Sequence, residues 1–154
     1  MSPIDRSTPP APAKLRAFDL PPVSTRRLPE GLPVHLVRLP QLPVVTAALV
    51  LPVGEGGLAA EQAGLARLTA DTLDGGTRRR SATALAEALE AIGADAGASA
   101  NWDATVASIS CLADRLDEAL DLLVEMVLAP SFPDDEVERV KAQALARIRQ
   151  RRSD

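Results

Sequence analysis

The stretch that decides the fold is GLARLTADTLDGGT, which runs from Gly64 to Thr77. Side chains recur in it at the spacing of one helical face, at Leu65, Leu68 and Thr72. This periodicity predicts a helix over about residues 59–73. The pair Gly75-Gly76 ends the helix, because glycine readily adopts the backbone conformation found just past a helix C-terminus.

The elements on either side of this helix alternate between strand and helix patterns. Three short extended runs precede it, and a second helix, two strands and two further helices follow it. Their predicted bounds are residues 25–28, 34–39, 43–51, 82–92, 95–100, 103–111, 114–128 and 134–151. The resulting order, β-β-β-α-α-β-β-α-α, predicts an α+β fold in which helices pack on a largely antiparallel sheet.

Some of these elements carry more specific expectations. The nearly continuous apolar run at 43–51 is typical of a buried central strand. In the strand at 103–111, alternation places on one face Thr105, Ala107, Ile109 and Cys111. Cys111 is the only cysteine, so we expect a small buried hydrophobe rather than a nucleophile. The helix at 114–128 is expected to bury Leu116, Leu120, Leu123 and Val127.

Composition and charge exclude several classes of function. The chain has 154 residues, a net charge of −4 and 46% hydrophobic residues. A negatively charged chain lacks the basic face that phosphate contacts require, so we expect no nucleic-acid partner. No run of about 18 apolar residues occurs, so no membrane span is expected.

The N-terminal sequence differs in composition from the remainder. Residues 1–22 are rich in Pro, Ser and Ala, which predicts a flexible arm ahead of a domain at residues 23–154. The arm has no apolar stretch of the kind found in secretory signals. A cytoplasmic location is therefore expected by default, and a periplasmic one stays open.

The GLARLTADTLDGGT stretch resembles the zinc-binding helix of the insulinase/pitrilysin family of inverted-motif metallopeptidases, whose pattern is G-L-A-H-x-x-E-H-x-x-x-x-G-T. The later segment APSFPDDEVER resembles the family's NP-x-F-P-E-E-E-x-E-R. The resemblance covers about residues 24–152. It implies an incomplete peptidase-like domain, because the family's domain continues with further strands.

The resemblance also implies where the family's catalytic groups would lie. Arg67 and Asp71 stand at the positions of two zinc-binding histidines, and Ala70 stands at the position of the general base. Arg147 stands at the position of the third zinc ligand. A guanidinium stays protonated and cannot ligate a cation, and alanine cannot accept a proton. We therefore expect no catalytic residue and no cofactor, although the family uses zinc.

The replacement residues allow three arrangements. Arg67 and Asp71 lie at i, i+4 on one helix, and the family geometry would bring Arg147 toward them. The three could form an ionic cluster that joins two helices in place of a metal. Alternatively, the charges are independent and solvated. An altered metal site would instead draw on carboxylate oxygens from Glu61, Asp71 and Asp74.

Asn101 and Trp102 form a second candidate site. They lie at an apparent bend between two strands, and Trp102 is the only tryptophan. In the family this region lies near the chamber where an extended peptide adds along a strand edge. A tryptophan here could contact a peptide or a partner subunit, or it could pack in the core. The run Arg78-Arg79-Arg80 predicts a solvated loop, with contact to an acidic partner as the alternative.

The resemblance, together with the replaced zinc-binding residues, implies a non-catalytic peptidase-like subunit. It would pair with an active zinc metallopeptidase subunit, or associate with itself, and help to enclose or bind extended peptides. The resemblance supports such heterodimers, because mitochondrial processing peptidase pairs one subunit that keeps the zinc motif with one that has lost it. The alternatives are a purely structural scaffold subunit and a zinc-dependent endopeptidase with a degenerate site.

Overall fold

The computed structural model describes residues 19–153, so most of the arm predicted for residues 1–22 lies outside the described residues. The chain divides into two compact units, of which the first ends at Leu42 and the second begins at Pro43. The candidate sites all lie in the second unit.

The first unit contains an antiparallel hairpin formed by β1 (Val23–Arg27) and β2 (Pro33–Val37). The turn between the two strands contains Gly31, whose φ of +91° favours glycine. Thr25 and His35 face each other across the hairpin, with the Thr25 Oγ1 and His35 Nδ1 atoms 3.0 Å apart. The only histidine of the chain therefore has a local partner in this hairpin.

The second unit contains a three-stranded antiparallel sheet in the order β3-β5-β4. The strands are β3 (Val44–Leu51), β4 (Asp95–Ala100) and β5 (Thr105–Leu112). The expectation that the run at 43–51 is a central strand is wrong for the described residues, because β3 pairs only with β5 and alternates between exposed and half-buried positions. An apolar run does not show which strands will flank it.

Four helices complete the second unit: α1 (Leu65–Asp71), α2 (Ala82–Ala91), α3 (Leu116–Leu128) and α4 (Asp134–Ser153). The predicted α+β class and the order of elements are confirmed. No helix within residues 19–153 is both long and apolar enough to cross a membrane.

Helix α1 is shorter than the helix predicted for residues 59–73. Gly64 has a φ of +92°, and this left-handed conformation separates α1 from a 3₁₀ turn at Ala60–Gln62. The Glu55 carboxylate then caps α1 by accepting from the backbone N–H groups of Gly64 and Arg67, both at 2.8 Å. Sequence reasoning missed this cap because Glu55 lies in a different turn of the chain.

The core forms where α2 and α3 pack on the sheet. Strand β5 contributes Ala107, Ile109 and Cys111, and α3 contributes Ala119 and Leu123. The residues predicted to share one face of β5 do so, and this face is the buried one; the expected burial of Cys111 is confirmed. Burial, and to a smaller degree the charge of Asp114, raises the pKa of the Cys111 thiol, so it behaves as an apolar core group.

The buried face of α3 differs in part from the predicted one. Leu120 is exposed, and the helix instead buries Ala119, Leu122, Leu123 and Met126. Leu116 and Val127 are half-buried, as expected of positions beside this face. The leucine periodicity missed the true face because the small Ala119 makes the close approach to β5.

A polar network joins the loop after α1 to α3. Thr77 Oγ1 donates to Glu125 Oε1 and accepts from the backbone N–H groups of Arg79 and Arg80, at 3.1 and 2.9 Å. The Arg80 guanidinium pairs with Glu125 Oε2. The prediction of a solvated loop is therefore wrong for Arg80, because the nearly buried Glu125 carboxylate requires partners.

The Thr77 hydrogen bond lowers the pKa of Glu125 below its ordinary value of 4.5, against the opposing effect of burial and with help from Arg80. The folded chain therefore binds this proton less tightly than the unfolded chain does. The resulting stabilisation is present above about pH 4.5, and it is lost as the pH falls through the lowered pKa.

We expect Glu125→Gln to lower the free energy of unfolding at neutral pH by about 1–2 kcal/mol, since it removes a charged acceptor from a nearly buried network. The difference from the native chain should shrink in acid, where the native chain also loses this contribution. Urea unfolding at the two pH values measures both effects. The control is Glu118→Gln on the same helix, because its partly exposed ion pair should change stability by less than about 0.5 kcal/mol. An equal deficit at both pH values would contradict the assigned role of Glu125.

Candidate functional site

Three charged side chains meet where α1 lies against α4. Arg67 Nε lies 3.0 Å from both carboxylate oxygens of Asp71, one helical turn away. Arg147 Nη2 on α4 lies 3.4 Å from Asp71 Oδ2. The Asp71 side chain is 19% exposed, whereas those of Arg67 and Arg147 are 53% and 52% exposed. The structure thus brings together the three residues that the sequence placed at metal-ligand positions.

Two members of the cluster, Asp71 and Arg147, line a cleft of about 290 Å³ beside β4, whereas Arg67 is not part of its lining. Helix α4 lines it with residues at i, i+4 and i+8, namely Arg139, Gln143 and Arg147. On the other side lie Ala70 and Asp71 of α1, and Gly97 and Ala98 of β4 form part of the wall. Ala70 is 2% exposed, so the position of the family's general base is occupied by a buried methyl group.

The donor set of this cleft does not fit a zinc ion. Zinc requires neutral imidazoles or anionic ligands, and catalytic sites use three of them with one open position. Arg67 and Arg147 carry permanent positive charge and offer no lone pair. Asp71 already accepts hydrogen bonds from both. Within residues 19–153 no three His, Cys, Asp or Glu side chains form a possible metal site, so Glu61, Asp71 and Asp74 do not assemble into one.

The second candidate site lies at the tip between β4 and β5. Asn101 Oδ1 accepts from the backbone N–H groups of Asp103 and Ala104, both at 2.9 Å, so its side chain shapes the turn. Trp102 is 72% exposed, and the interpretation of Trp102 as a core residue is wrong. Trp102 lies at the tip of a tight turn between β4 and β5, and the few residues of the turn cannot bring its side chain back to the core.

Trp102 is held in place by the glycine-bearing loop after β3. The Gly56 N–H donates to the Trp102 carbonyl at 2.8 Å, and the Glu55 N–H donates to the Asn101 carbonyl at 3.0 Å. A Cβ added to Gly56 would lie 2.6 Å from the Trp102 indole nitrogen. The indole therefore packs directly against Gly56, and a side chain at position 56 would require the indole to move. Asn101 and Trp102 do not line the cleft beside β4.

A larger groove, of about 620 Å³, runs between α2 and α3. It contains the Arg80–Glu125 pair, whose charges satisfy each other. Its lining includes no histidine, cysteine or hydroxyl side chain that could act as a nucleophile. The cleft beside β4 is therefore the better candidate for a functional site.

The fold and the cleft define an inverted-motif metallopeptidase domain in which the metal-binding positions carry other residues. The chain belongs to the insulinase family, because the sequence model described as Insulinase (Peptidase family M16) matches residues 34–153. This finding confirms the family resemblance stated from the sequence.

Three relatives illustrate the match. The peptidase M16 inactive domain from Pseudomonas fluorescens is 33% identical, with a TM-score of 0.78 over 86% of this chain and 32% of that one. The non-peptidase homolog YmxG of Helicobacter pylori is 32% identical over 93 residues, which are 60% of this chain and 22% of that protein. Pitrilysin is 28% identical, with a TM-score of 0.70 over 87% of this chain and 14% of that one. The chain thus spans less than a third of the length of each relative.

The ionic cluster makes a prediction about stability. In a double-mutant cycle of Asp71→Asn and Arg147→Gln, we expect a coupling of about 0.5 kcal/mol, the size typical of a partly exposed ion pair. Urea unfolding of the four proteins measures the coupling, which salt should weaken. The same cycle between Asp71→Asn and Arg151→Gln is the control and should show none. A coupling of zero in the first cycle would mean that Asp71 and Arg147 act independently.

The assignment of metal-ligand positions makes a second prediction. A variant with Arg67→His, Ala70→Glu, Asp71→His and Arg147→Glu should bind one Zn²⁺ per chain, because it restores three ligands on two rigid helices. Isothermal titration calorimetry with zinc chloride measures the stoichiometry and affinity. The matched control leaves Arg147 unchanged and should bind zinc much more weakly, since a guanidinium then faces the ion. Equal zinc binding by both variants would mean that Arg147 does not occupy the third ligand position.

Proposed function

We propose that this chain is part of a non-catalytic subunit of the insulinase family, which pairs with an active zinc metallopeptidase subunit and helps to bind extended peptides. The observation that carries the proposal is the Asp71 carboxylate, which accepts from two guanidinium groups at the metal position. A site built this way has no means of holding a zinc-bound water or of removing its proton.

The surroundings of the cleft support a role in peptide binding. Among residues 19–153, β4 hydrogen-bonds to β5 alone, so its other edge offers unpaired N–H and C=O groups. An extended peptide can add to such an edge as a further strand. Trp102 lies just past the end of β4, and an exposed tryptophan is a frequent contributor of binding energy at interfaces.

The relatives support the non-catalytic part of the proposal. One is named a non-peptidase homolog, and the Pseudomonas fluorescens structure is described as an inactive domain. Both descriptions concern other proteins, of which this chain matches 22% and 32%. A pair that cuts peptides needs one catalytically active subunit. The partner of an inactive subunit would therefore carry an intact H-x-x-E-H motif.

We expect the chain to form a complex with an insulinase-family protein from the same organism that carries H-x-x-E-H. Hydrolysis of an internally quenched peptide by that partner should rise when this chain is added, because a second half completes the chamber. The chain alone should not cleave the peptide. Sedimentation velocity measures the complex, and fluorescence measures cleavage.

The control for this experiment is Trp102→Ala, which should lower the gain in hydrolysis without changing the fold. Partner hydrolysis that is unchanged, with a complex still formed, would favour a scaffold subunit. Chelator-sensitive cleavage by the chain alone would overturn the proposal in favour of a zinc-dependent endopeptidase. The absence of any complex would also overturn the pairing.

A further inference from the structure

We propose that Arg147, in the lining of the cleft beside β4, and Arg67, which contacts the same Asp71 carboxylate next to the cleft, recognise the carboxylate of a glutamate or aspartate side chain within an extended peptide. This inference rests on the proposed function, because it names the class of peptide that the same site takes. It differs from the family's chemistry, since the groups that recognise the ligand stand where an active member holds its metal.

Arg67 and Arg147 use only some of their N–H donors in hydrogen bonds to Asp71. Arg67 contacts the carboxylate through Nε alone, and Arg147 contacts it through Nη2 alone. A guanidinium carries five N–H donors, so most donors of both side chains have no partner among the described residues. Each side chain is about half exposed, at 53% and 52%, so a ligand can reach these donors.

Asp71 restrains both guanidinium groups before any ligand arrives. It is the most buried member of the cluster, and it holds Arg67 from its own helix and Arg147 from α4. Restrained donors lose less conformational entropy on binding than free ones do. Asp71 is therefore a positioning residue, while the unused N–H groups of the two arginines contact the ligand.

The edge of β4 supplies the path for the peptide. Arg147 lines the cleft together with Gly97 and Ala98, which lie in the middle of β4. A Cβ added to Gly97 would have no heavy atom within 4 Å, so the strand leaves open space there. A peptide that pairs with β4 continues past Gly97 in both directions. The matching carboxylate is thus an internal side chain rather than a chain end.

The charge balance of the cleft favours a tethered carboxylate over a free anion. Asp71, Asp74 and the Glu136 partner of Arg139 offset the positive charges, so the cleft has no strong long-range positive field. Recognition must then depend on short charge-assisted hydrogen bonds, which guanidinium groups can form with carboxylates in pairs. Backbone pairing with β4 holds the peptide close enough for such bonds to form.

The test uses the full chain and short dye-labelled peptides, acetylated and amidated, made of threonine and valine with one central residue varied. By fluorescence anisotropy, the peptide with central glutamate should bind about tenfold more tightly than the one with glutamine, as expected for one charge-assisted pair. Arg67→Gln and Arg147→Gln should each bring this ratio toward one. Arg151→Gln on the same helix lies outside the cleft, and it should keep the ratio of the native chain.

Each other outcome has a defined meaning. Equal binding of the glutamate and glutamine peptides by the native chain would overturn this inference and leave peptide binding intact. A failure of both peptides to bind would overturn the peptide-binding part of the proposed function. Preference for a peptide whose only carboxylate is its C-terminus would overturn the assignment to an internal side chain.

A peptide N-methylated at alternate residues should not bind, and its full binding would overturn pairing with β4. If Arg151→Gln lowered the ratio of the two affinities as much as Arg67→Gln and Arg147→Gln do, the overall charge of the chain would explain the preference. That result would overturn the assignment of the site to Arg67 and Arg147.

Discussion

Asp71 accepts from Arg67 on its own helix and from Arg147 on α4, and this shared carboxylate decides what the cleft beside β4 can do. The constraint is electrostatic, because two permanent cations cannot share a small site with a divalent metal ion. The pair of arginines needs an anion, and Asp71 supplies it. The same constraint that excludes zinc leaves unused N–H donors on Arg147 in the cleft and on Arg67 beside it.

The fold around this cluster is that of the insulinase family, although other residues stand at the zinc-binding positions. Strand β5 packs on both neighbouring strands and buries Ala107, Ile109 and Cys111 against α3. Glu55 caps α1, and its loop also positions the tip that carries Trp102. The loop that contains Glu55 thus positions both the start of α1 and the tip between β4 and β5. A binding surface can persist on such a frame after catalysis is lost, because packing and strand edges do not depend on the metal.

The sequence predicted the order of elements, the residues that share one face of β5 and the burial of Cys111, because these follow from local periodicity and residue type. It gave the contact of Arg67 with Asp71 as one of three arrangements. It did not predict the cap by Glu55, the pairing of β3 with β5 alone among the described strands, or the pairing of Arg80 with Glu125. Each of these depends on contacts between different elements of the chain, and the periodicity within one element carries no signal for it. The Leu120 error has the same origin, since only packing on β5 shows that Ala119 faces inward.

The sequence by itself determined the fold class and the loss of the zinc ligands, because residue type alone decides that a guanidinium cannot bind a cation. Only the tertiary structure decided that Arg147 reaches Asp71 across two helices, and that Trp102 is exposed at the tip instead of buried. The physical reason is that pairing and exposure depend on how distant segments pack, whereas the charge and the donors of a side chain are properties of the residue alone.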